Sequence, residues 1–86
     1  MTVRIKSSAR RAMLKLPDAI LIKAFRTILQ IKDAPYPRGF KKLRGQKDRL
    51  RIWIDRNYRM IYEVDSDAEV IDIVYVGAKN EATYRS

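Results

Sequence analysis

The chain has 86 residues, 47% of them hydrophobic, which suits one packed domain over residues 1–86 and leaves too little for two separate cores. It has neither cysteine nor histidine, which excludes disulfide staples, thiolate metal sites and the imidazole proton shuttle. The formal net charge of +9 is uneven: residues 1–59 carry 17 of the 19 Lys and Arg against four acids, and residues 60–86 carry two against six.

Taken in chain order, residues 2–6 alternate, with Val3 and Ile5 on one side, and predict a short strand. Ser7 or Ser8 is placed to cap a helix whose inner face is Ala9, Ala12, Met13 and Leu16. Pro17 ends that helix and can open a second, with Asp18 favouring its start. Leu21, Ala24, Phe25, Ile28 and Ile31 form the second apolar stripe. Pro35 and Pro37 stop the helix, and a basic connection follows over residues 40–47.

From Arg49 the period changes to two. Leu50, Ile52 and Ile54 face one way, and Arg51 and Trp53 the other. Met60, Tyr62 and Val64 alternate with Arg59, Ile61 and Glu63 in the same manner. Residues 70–76 are apolar except for Asp72, as expected of a central strand buried on both faces. The predicted class is α+β, in the order β-α-α-β-β-β, with two antiparallel helices packed on one face of a small antiparallel sheet. Keeping Ile54 beside Tyr58 requires a three-residue connection at 55–57, which sets Trp53 opposite Arg59 on the uncovered face.

That register gathers Arg51, Trp53 and Arg59, with Lys41, Lys42, Arg44 and Lys47 leading in and Lys79, Tyr84 and Arg85 arriving from the tail. Concentrated positive charge is the footprint of a polyanion partner, because binding phosphates releases condensed counterions. Arginine forks suit phosphate oxygens, and aromatic rings suit unpaired bases. The same residues also suit a solvated face, with the arginines paired to Glu63 and Asp72. Asp65, Asp67 and Glu69 have the spacing of a solvated turn, so no metal and no cofactor are expected. No apolar run approaches the roughly 20 residues of a membrane span, and residues 1–6 lack the apolar stretch of a signal peptide, so a cytoplasmic protein is expected.

The segments Lys42-Leu43-Arg44-Gly45, Tyr58-Arg59-Met60-Ile61-Tyr62 and Gly77-Ala78-Lys79 with the later Tyr84 resemble the RelE/ParE toxin superfamily, as does Leu14-Lys15-Leu16-Pro17 between the helices. The resemblance covers nearly the whole chain and rests on the order and spacing of these segments. It implies a toxin of a type II toxin–antitoxin system, a metal-independent endoribonuclease that cleaves mRNA on the ribosome and inhibits translation. In that chemistry a ribose 2′-OH attacks the adjacent phosphate. Arg59 resembles the family's phosphate-contacting arginine, and Arg51 a basic residue of the preceding strand. Lys79 stands at the late arginine and Tyr84 at the C-terminal tyrosine, whose pKa nearby cations would lower. Trp53 stands where relatives often have a second basic residue, and Lys79 lacks the arginine fork. The implied partners are a cognate antitoxin, the ribosome and mRNA. Two other readings stay open on this fold: a ParE-like inhibitor of DNA gyrase, and a non-catalytic basic RNA-binding protein.

Overall fold

The computed structural model describes residues 1–43 and 49–79. Strand β1 (Thr2–Ile5) leads directly into α1 (Ser7–Met13), and a turn ending at Pro17 opens α2 (Asp18–Asp33). The remaining elements are strands: β2 (Lys41–Lys42), β3 (Arg49–Trp53), β4 (Tyr58–Asp65) and β5 (Val70–Ala78). They form one five-stranded sheet in the order β1-β5-β4-β3-β2. Among the described residues, no helix is long and apolar enough to cross a membrane.

The expected α+β architecture holds, with two additions. The edge pair β1 and β5 runs parallel, while the other three pairs are antiparallel. Part of the basic connection is itself a strand, β2, which pairs with β3. Neither feature has a sequence signal. Two residues are too few for a period, and the orientation of an edge strand depends on a partner 68 residues away.

Helices and sheet meet in one core. Ala9 and Met13 of α1 and Ala24, Ile28 and Ile31 of α2 pack on Leu50, Ile52, Met60, Tyr62, Val64, Ile71, Ile73 and Val76. Burying a side chain of this size stabilises the fold by about 1.5–3 kcal/mol relative to leaving it exposed. The inner stripe of α2 differs from the expected one in a specific way. Ile20 and Thr27 are buried, whereas Phe25 is 49% exposed. This helix is apolar on several sides, so spacing alone does not single out its buried face. Thr27 is accommodated because its hydroxyl donates to the Lys23 carbonyl at 2.9 Å.

The expected serine cap of α1 does not form. Lys6 occupies the cap position without a side-chain bond, and Ser8 Oγ donates to the Val74 carbonyl at 2.9 Å. Val74 is the extra residue of a bulge: Ile61 faces Tyr75, and the next residue, Tyr62, faces Ile73. The insertion inverts the alternation of β5. Ile73 and Val76 both point into the core, and Tyr75 is turned to the opposite face.

Candidate nucleic-acid interface

The sheet face away from the helices is crossed by three rows of facing residues. The first runs Arg49, Glu63, Asp72, Arg4. Its charges close on one another. Arg49 Nη2 lies 2.6 Å from Glu63 Oε2, and Arg4 holds Asp72 through Nε at 2.8 Å and Nη2 at 3.1 Å. The bond from Arg4 keeps the Asp72 carboxyl below the usual carboxylate range, and the same bond raises the Arg4 guanidinium. This end of the face is electrically balanced. The pairing foreseen for Glu63 and Asp72 thus goes to Arg49 and Arg4.

The second row runs Lys41, Arg51, Ile61, Tyr75, and the third Trp53, Arg59, Gly77. The Trp53 and Arg59 register is the one expected from the hairpin, and Ile54 N–H donates to the Tyr58 carbonyl at 3.0 Å to close it. Asn57 N–H donates to Asp55 Oδ1 at 2.7 Å, which fixes the turn and is the main reason the Asp55 carboxyl is lowered. The Arg51 and Arg59 guanidinium carbons lie 5.3 Å and 5.7 Å from the Trp53 ring centre, within cation–π range. Trp53 itself is 39% exposed, so part of the ring is open to a stacking partner.

Arg59 is only 7% exposed, and its Nη2 donates to the Lys79 carbonyl at 2.6 Å. Lys79 N–H in turn donates to Asn57 O at 2.9 Å, so the end of β5, the hairpin and Arg59 are tied together. The Lys79 side chain is exposed beside them. Arg51 Nε is buried and makes no hydrogen bond among the described residues.

The structure brings together Arg51, Trp53, Arg59, Lys41 and the backbone of Lys79. It separates Lys42, which faces Leu50 and so belongs to the helix-covered side at the sheet edge. The sequence reading put Lys41 and Lys42 in one approach path. Strand alternation at β2 corrects that. Arg44, Lys47, Tyr84 and Arg85 lie outside the described residues. Tyr75 and Gly77 were not anticipated in the site. Tyr75 reaches it only because of the Val74 bulge, and its ring lies against Gly77, where an added Cβ would collide with the tyrosine hydroxyl and ring.

Two helices on one face of this mixed sheet, with a basic and aromatic patch on the other, are the RelE-type toxin fold. The chain matches a chain of the archaeal RelE–RelB complex from Pyrococcus horikoshii with a TM-score of 0.80 and 27% identity, covering 94% of this chain and 97% of that one. It matches the RelBE2 toxin–antitoxin complex from Mycobacterium tuberculosis with a TM-score of 0.78 and 28% identity, over 91% and 96% of the two chains. The YoeB/ParE toxin from Agrobacterium tumefaciens shares the fold with a TM-score of 0.77 at 18% identity, over 91% and 98%. No family model and no curated protein matches the sequence.

Proposed function

We propose that the chain is the toxin of a type II toxin–antitoxin pair and cleaves mRNA in the ribosome, with a cognate antitoxin as its partner. The observation that carries this reading is the Arg51, Trp53, Arg59 cluster, set on a fold shared with RelE–RelB and RelBE complexes. A message base stacks on Trp53, and the neighbouring phosphate meets Arg51 with Lys41 and Lys79 around it. The ribose 2′-OH attacks that phosphate. Its proton passes to a base, for which Tyr84 is the group proposed, and the departing 5′ oxygen takes a proton. Guanidinium groups stabilise the charge that develops on the phosphorane. Arg59 acts from beneath, holding the β5 end and Trp53 in place.

The test is primer extension on a message held in translating ribosomes, with purified protein and a ribosome-free control. New 5′ ends confined to the ribosome sample are expected. Arg51→Ala should lower their yield on the order of 10²-fold, and Tyr84→Phe should abolish them, with the fold intact in both. Wild-type protein that is folded and makes no cuts would sink the nuclease reading, and inhibition of DNA gyrase becomes the next measurement.

A further inference from the structure

A cleft of about 340 Å³ opens beside the candidate interface, between α1 with its following turn and the ends of β4 and β5. Its size falls at the low end of small-ligand sites. Arg11, in the last turn of α1, and Lys15, four residues on, supply its charge, and no acidic residue lines it. Among the described residues neither cation makes an ion pair. Tyr58 and Tyr75 are the aromatic residues of its lining, and Leu16 adds an apolar wall.

Cations at a helix C-terminus are favourable on their own account, and that suffices to explain Arg10. It does not explain why Arg11 and Lys15 share a recess with two aromatic rings. The pairing of a cationic end with a partly apolar, aromatic wall matches a phosphate joined to a base. Position adds to this. Gly77 lines the cleft and also faces Arg59 across the strands, so the two sites are about one strand spacing, roughly 4.8 Å, apart at that point.

We propose that this cleft is a second nucleotide subsite, which takes a base and its phosphate from the RNA strand that crosses Trp53 and Arg59. Arg11 and Lys15 hold the phosphate, and the tyrosines and Leu16 receive the base. As a subsite of the strand that is cut, it rests on the nuclease reading; as a nucleotide site it can be measured without cleavage.

The experiment titrates the whole chain with 5′-AMP and, separately, with inorganic phosphate, following backbone amide shifts by NMR. Saturable shifts at Arg11, Lys15, Tyr75 and Gly77 are expected, with AMP at least tenfold tighter than phosphate. Arg11→Gln with Lys15→Gln should weaken AMP at least tenfold, whereas the same charge loss at Lys32→Gln with Arg38→Gln should leave it unchanged. Shifts confined to Arg51, Trp53 and Arg59, or equal weakening in both double variants, would overturn the proposal. Equal affinity for AMP and phosphate would overturn the base-binding half and with it the nucleotide assignment. A wild-type chain that binds AMP here yet makes no cuts on the ribosome sinks the nuclease reading alone, and one that cuts yet binds no AMP here sinks the subsite alone.

Discussion

Trp53 and Tyr62 show how differently two aromatic residues serve this sheet. Trp53 lies within cation–π range of two arginines yet is partly exposed, so its removal costs little core packing. Trp53→Ala should weaken binding of a short single-stranded RNA by about 1–3 kcal/mol, roughly 5- to 150-fold, read by fluorescence anisotropy. The melting temperature should stay nearly constant, and unchanged affinity would remove Trp53 from the interface. Tyr62 is fully buried, and its hydroxyl donates to the Pro35 carbonyl at 2.7 Å. Burial pushes its phenol up to about 12, with Tyr36 adding to the shift. A raised folded-state pKa means the folded form binds the proton more tightly. The corresponding stability is present below the unfolded value near 10 and is lost as pH rises towards 12. Tyr62→Phe should cost about 1–2 kcal/mol at neutral pH and flatten that alkaline decline, measured by denaturant unfolding across pH.

At the scale of elements, several constraints meet at the end of β5. The Val74 bulge turns Tyr75 outward, Ser8 anchors the bulge to α1, and Gly77 leaves room for the Tyr75 ring. Gly77→Ala therefore forces that ring to move and should destabilise the protein by about 1–3 kcal/mol. In a Tyr75→Ala background the same change should cost markedly less, because the colliding ring is gone. A double-mutant cycle by chemical denaturation measures the coupling, and additive costs would show that the ring is not what Gly77 accommodates.

Across the whole molecule, the net charge of +9 matters less than where it is neutralised. One row of the open face is closed by the Arg4–Asp72 and Arg49–Glu63 pairs, and the adjacent rows hold Lys41, Arg51 and Arg59. Binding of single-stranded RNA should follow that division. Lys41→Gln and Arg51→Gln should each reduce the slope of log affinity against log salt by about 0.7, the value for one phosphate contact. Arg4→Gln and Lys42→Gln should leave the slope as it is. Equal effects from all four in anisotropy titrations would mean that RNA senses only the overall charge.

The sequence alone carries the order of every element except β2, and the faces of β3 and β4, because period-two alternation and the 55–57 connection permit one register with Leu50, Ile52, Met60 and Tyr62 inside. The opposition of Trp53 and Arg59 follows from the same arithmetic, so the centre of the candidate site is legible in the sequence. The rest depends on how the elements pack. Phe25 points outward because α2 is apolar on more than one side, and packing against the sheet chooses among them. Lys41 and Lys42 part company because β2 pairs with β3, and Tyr75 faces the site because β5 bulges against β4. Each of these depends on contacts between segments distant in the chain, which no local pattern encodes.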